Sequence, residues 1–183
     1  SFYDPATLDA LPAVDAHTKT ALGTVHIVDY VVVGQPEMKP QQAFAAPVNL
    51  GGQIALLGVT LPPPATVKRG ASLPVTLAWQ ATQTMTIDYN SFVHLLGPDG
   101  KLVAQQDKQP QASFLATHLW QPQQVMREVY TLTLPPDAPA GQYQLLAGMY
   151  DANGQRLPVQ VNGQAAGDVV PVTELVKMPL EVK

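Results

Sequence analysis

Leu134-Pro135-Pro136-Asp137-Ala138-Pro139-Ala140-Gly141-Gln142-Tyr143 sets a tyrosine just inside a strand, directly after a tight corner of proline and glycine. The residues that follow alternate. Tyr143, Leu145, Ala147 and Met149 share one face of a strand running from Gly141 to Tyr150, as a strand with one buried face requires. Upstream, Ser72 to Gln80 alternates as cleanly, with Val75, Leu77 and Trp79 on one face and Thr76, Ala78 and Gln80 on the other. Val125 to Leu134 puts Tyr130, Leu132 and Leu134 together, and Pro135-Pro136 ends it because proline cannot continue a ladder.

Between these runs, Tyr89 to Leu96 leads into Gly97-Pro98-Asp99-Gly100, and Lys101 to Gln106 leads away. Proline at the second turn position and glycine at the fourth predict a hairpin closed by a type I turn and a bulge. Further strands are expected at Val25–Val33, Gly52–Leu61 and Val169–Val176, with Gln35–Pro47 as a polar loop and Asn153-Gly154 and Asn162-Gly163 as turns. Helix is minimal: one turn after Asp4-Pro5, and weak periodicity at Ser113–Leu119. With 18 prolines and 13 glycines punctuating short β-rich runs, the chain is all-β, with eight or nine mostly antiparallel strands. The Tyr143 corner and Trp79 as a core aromatic point to an immunoglobulin-like β-sandwich, ahead of a jelly roll or another sandwich. The expected layout is an N-terminal arm or linker at 1–22 and one sandwich at 23–178, its main body at 52–176.

Composition narrows the function. In 183 residues, 13% are charged and the net charge is −4, with Lys and Arg never clustered, so no nucleic-acid footprint is present. Zero cysteines exclude disulfides, thiol chemistry and Cys-ligated zinc. No apolar run approaches the ~20 residues of a membrane helix. The Ser1-Phe2 opening reads as a boundary within a longer protein. GxSxG, HExxH, a Walker loop and GxGxxG are all missing, and Asp151-Ala152-Asn153-Gly154 lacks the closing Glu of a calcium loop. The chain is expected to be no enzyme, and to hold no cofactor and no metal.

Four residues are candidates for ligand binding. His94 lies mid-strand on the same face as Phe92 and Leu96, either as a satisfied core histidine or as a donor toward a ligand or a carboxylate such as Asp107. His118 and Trp120 sit in a loop, Thr117-His118-Leu119-Trp120-Gln121-Pro122. There the indole is either a stacking platform for a sugar ring or a plug at the end of the sandwich.

Several segments together resemble a known domain. They are Ser91-Phe92-Val93-His94-Leu95-Leu96-Gly97-Pro98-Asp99-Gly100, Val103-Ala104-Gln105-Gln106-Asp107 with Pro110, Trp120-Gln121-Pro122, the corner quoted above, and Gly148-Met149-Tyr150-Asp151, with Asn49 to Gly58 as lead-in. Across residues 48–160 the chain resembles the soluble C-terminal β-sandwich of bacterial membrane proteins similar to dolichyl-phosphate-mannose protein mannosyltransferases (glycosyltransferase family 39). One departure is Gly97, where an Asp is expected after the hairpin leucines. The resemblance implies an extracytoplasmic, non-catalytic module of a longer protein, the transfer chemistry belonging to its membrane part. Glycan, polypeptide acceptor or that membrane part would be its partner. A free-standing carbohydrate-binding module and a purely structural or adhesive domain are the alternatives, and oligomeric state is open.

Overall fold

The computed structural model describes residues 12–14, 21–24, 39–62, 66–110, 115–177 and 180–183, and its contacts divide the chain into Ser1–Pro36 and Glu37–Lys183. In the first unit, β1 (Pro12–Val14) pairs antiparallel with β2 (Ala21–Thr24). The expected helical turn after Asp4 and strand at Val25–Val33 lie outside the described residues.

The second unit is a sandwich of two six-stranded sheets. One holds, in spatial order, β5 (Thr66–Val67), β14 (Leu180–Val182), β10 (Gly141–Tyr150), β7 (Asn90–Leu96) and β8 (Leu102–Lys108), with β13 (Val170–Pro171) also on β10. The other runs β12 (Gln164–Ala165), β11 (Val159–Val161), β3 (Gln42–Leu50), β4 (Ile54–Thr60), β6 (Ser72–Ala81) and β9 (Val125–Thr133). All pairings are antiparallel except β5 with β14. This is the immunoglobulin-like β-sandwich class expected from the alternation, with more strands than expected because β5 and β11–β14 are only two or three residues long.

Three expectations are corrected. The polar stretch 35–47 contains the start of β3, whose pairing with β4 jumps between Ala43 and Val48, so Pro47 sits where the ladder is interrupted and its missing N–H costs nothing. The expected last strand, Val169–Val176, ends after Pro171 and becomes the one-turn helix α1 (Val172–Leu175). The sandwich reaches Val182 through β14, past the expected end at 178. Of the weak helical stretch 113–119, the structure shows a 3-10 turn at Thr117–Leu119.

The core forms where the inward faces meet. Val75, Leu77 and Trp79 from β6, Tyr130 and Leu132 from β9, and Tyr143, Leu145, Ala147 and Met149 from β10 are all buried in one cluster. The Tyr143 hydroxyl donates to the Pro139 carbonyl at 2.7 Å, closing the tyrosine corner. The hairpin between β7 and β8 is also as expected: Gly100 N donates to Gly97 O, Gly97 N to Lys101 O, and Gly100 takes a positive φ of 77°. One polar chain crosses the core, in which Tyr130 donates to Ser91 Oγ at 2.6 Å and Ser91 donates to the Lys108 carbonyl. The Trp79 indole N–H meets no partner with good hydrogen-bond geometry, although it stands close enough to the Tyr130 hydroxyl to favour its ionised form slightly. Burial dominates there and holds the Tyr130 hydroxyl far above its ordinary value.

The long edge strands β8 and β9 lie on the same flank, where side chains take the place of a ladder. Gln106 Oε1 accepts from Thr131 N at 2.6 Å, and Lys108 Nζ donates to Val129 O at 2.7 Å. Lys108 also reaches the Glu128 carboxylate at 2.9 Å and lies over the Tyr130 ring at 4.7 Å. Glu128 is buried, and Lys108 supplies a partner of the kind that a buried carboxylate needs.

Candidate functional site on the outer face of a sheet

Directly opposed residues in an antiparallel sheet share a face. On the outward face of β10–β7–β8, the register puts Leu146, His94 and Gln105 in one row and Gly148, Phe92 and Asp107 in the next. Tyr150 and Asn90 form the row beyond, and Gln144 with Leu96 the row before. The inward face of β7 carries Ser91, Val93 and Leu95, so the face shared by Phe92, His94 and Leu96 is not the core face. His94 is therefore not a core histidine.

Phe92 organises this surface. Its ring lies against Gly148, in space that any side chain at 148 would fill, and is itself fully buried. Three groups pack around it: His94 with ring centroids 4.6 Å apart, Tyr150 at 6.2 Å, and the Arg156 guanidinium 4.7 Å above the ring centroid. Arg156 comes from the turn after β10, which folds back through a bridge to Tyr150. The result is a stack of sheet backbone, aromatic ring and guanidinium.

His94 Nε2 lies 3.3 Å from Asp107 Oδ1, so the carboxylate considered from sequence does meet this histidine. The Tyr150 hydroxyl interacts with the same carboxylate. Burial first, then the Asp107 charge and its hydrogen bond, raise the Tyr150 hydroxyl above its usual value near 10, keeping it a neutral donor. Toward the hairpin tip the face opens into a hollow of about 310 Å³ lined by Gly97, Pro98, Gly100, Gln142 and Gln144. Its walls are glutamine amides and backbone, which both donate and accept hydrogen bonds.

The other two candidates go elsewhere. Trp120 has no exposed surface and belongs to the core, its Nε1–H donating to Leu115 O at 3.0 Å, so it offers no ring face to a sugar. Proximity to Pro122 and the glutamines suggests a solvated loop, but the turn at Thr117–Leu119 points the indole inward. His118 bonds to Asp88 instead, Nδ1 at 2.7 Å from Oδ1, and its backbone N–H donates to the same oxygen. Burial alone would raise the Asp88 carboxyl. The hydrogen bonds and charge of His118, with the Thr117 hydroxyl, outweigh that and hold it below 3.8. Tyr150, Gln142 and Gln144 were legible in β10, being the outward partners of the alternation that defines its core face. Arg156 carried no local signal. Among the described residues no cluster of three or more metal-ligating side chains occurs.

No protein-family model matches the chain, and no curated protein sequence does. Solved structures do. The C-terminal domain of wzt superposes with a TM-score of 0.50 at 12% identity, covering 79% of this chain and 82% of that one. A Niemann-Pick type C2 protein from the Japanese carpenter ant gives 0.42 at 7% identity, over 70% of this chain and 91% of its own. A CARDB domain from Pyrococcus furiosus, solved in complex with di-metal ions, gives 0.37 at 12% identity, over 76% and 98%. The likeness to the wzt domain is one of fold.

Proposed function

We propose that this chain is a non-catalytic recognition module whose outward β10–β7–β8 face contacts a glycan. The observation that carries this reading is the His94–Asp107 pair, joined by Tyr150, on three hydrogen-bonded strands. A sugar offers alternating hydroxyl donors and acceptors. Asp107 supplies an acceptor already held in place, and His94, Gln105 and Gln144 supply further polar groups along the same face. Rigid strands fix these positions without ordering cost on binding. Leu146, half-buried in the His94 row, gives an apolar contact for a ring face.

We further propose that the module works outside the cytoplasmic membrane, as a domain of a longer glycosyltransferase-like membrane protein. The resemblance across residues 48–160 supports this. Among the described residues no helix is long and apolar enough to cross a membrane, which leaves any span to another part of such a protein.

The test is a two-dimensional NMR titration with hexoses and short oligosaccharides. The expected result is saturable shifts at His94, Gln105 and Gln144, loss of those shifts in Asp107→Asn, and no movement of the two buried indole N–H signals. No shift on this face at millimolar sugar overturns glycan recognition and moves a structural or adhesive role ahead.

A further inference from the structure

Arg156 has an unusual setting for a surface arginine. Its guanidinium carbon lies 4.7 Å over the ring centroid of a fully buried phenylalanine. A stacked guanidinium keeps its N–H groups at the rim, directed into solvent in the plane of the fork. Among the described residues its charge partner is Asp168, at 3.7 Å and itself 58% exposed, which is beyond hydrogen-bond reach. The guanidinium is thus held over the ring, 37% exposed and without a hydrogen bond among those residues. It surrounds Phe92 together with His94 and Tyr150, on the face assigned above to glycan contact.

We propose that Arg156 makes this face selective for acidic glycans, receiving the carboxylate of a uronic-acid-type sugar in its fork while Asp107 accepts a neighbouring hydroxyl. The inference rests on the glycan reading of the same face. A planar fork suits a planar carboxylate, since two parallel N–H···O bonds form without rotation of either group. The preformed stack removes most of the side-chain ordering that an arginine otherwise undergoes on binding. The neutral Tyr150 hydroxyl and the neutral amides of Gln142 and Gln144 add donors and acceptors that do not repel an anion. Asp107, already engaged by His94 and Tyr150, stays compatible with a sugar whose carboxylate points toward Arg156 and away from it.

The test compares matched neutral and acidic oligosaccharides, for example a glucose oligomer and a glucuronate oligomer of equal length, by the same NMR titration. Tighter binding of the acidic oligomer is expected, roughly tenfold or more, as for hydrogen bonds between charged partners. Arg156→Gln should bring the acidic ligand to parity with the neutral one, and Arg156→Lys should recover only part of the preference. Asp168→Asn removes the competing carboxylate from a position that is 58% exposed, and should strengthen acidic binding. Equal affinity for both oligomers overturns the inference and leaves the glycan reading intact. Binding of neither overturns the glycan reading itself. Displacement of the acidic oligomer by equimolar inorganic phosphate would overturn the uronate assignment, making Arg156 a general anion receptor.

Discussion

The Phe92 ring occupies the space that a side chain at Gly148 would need: a Cβ at 148 would stand 2.6 Å from Cε1 of the ring. The two residues are directly opposed on β7 and β10, so neither backbone can withdraw without breaking the ladder. Gly148→Ala should therefore destabilise the domain by about 1–3 kcal/mol, the usual cost of overpacking. Denaturant unfolding measures it, and Phe92→Leu in the same chain should return part of the loss. Two purely additive losses would mean that the ring does not set the clash.

Lys108 holds the buried Glu128 at 2.9 Å. Replacing it with methionine takes from that carboxylate its lysine and from Val129 O its donor, so Lys108→Met should cost about 3 kcal/mol, the low end for a broken buried pair. The double change Lys108→Met with Glu128→Leu should recover part of that loss, because it leaves no carboxylate buried without its lysine, while Val129 O still lacks its donor. Urea midpoints of the two variants check the pair.

Trp79 and Trp120 are both without exposed surface. Each tryptophan-to-alanine variant should lose about 3–5 kcal/mol, as for large buried aromatics. A Trp120→Ala protein as stable as the parent would put that indole back on the surface.

Tyr143→Phe removes one hydrogen bond, to Pro139 O, from an otherwise unchanged core contact. About 1 kcal/mol should be lost. Thermal unfolding of the variant beside the parent is the readout.

Asp88 titrates below its ordinary value because its carboxylate is bonded by His118 and Thr117. A depressed folded-state pKa means that its stabilisation is complete above the unfolded value near 3.9 and is lost as pH falls through the folded value. Asp88→Asn should therefore narrow the gap in stability between pH 6 and pH 3. An unchanged pH profile would remove Asp88 from the acid response.

The parts of this molecule that were legible in its sequence are those set by local rules. Tyr143 announced its corner because proline and glycine fix the preceding turn, and Gly97-Pro98-Asp99-Gly100 announced its hairpin because only certain residues tolerate those dihedrals. Period-two alternation told inside from outside on β6, β9 and β10. It left β7 open, where Phe92 and Leu96 are apolar on the outward face, since Phe92 is covered there by His94, Tyr150 and Arg156 and not by the core. That arginine lies 64 positions along the chain, and nothing near either residue forecasts the contact. Pro47 hid β3 for a related reason: a bulge accommodates proline, but only the partner strand reveals where the bulge is. Trp120 was ambiguous because a loop indole packs inward or outward according to one short turn.

The borders at β5, β12, β8 and β9 offer little bare peptide backbone, whereas β3 meets β11 only at Asn49 and Leu50. β5 and β12 are two residues long, too brief to template another strand, while β8 and β9 turn toward each other and are stitched by Gln106 and Lys108. A neighbouring polypeptide therefore finds little backbone at those four borders with which to extend a sheet. Copies crowded together, or strung beside other domains in one chain, have no easy route to fibrous stacking through these four borders.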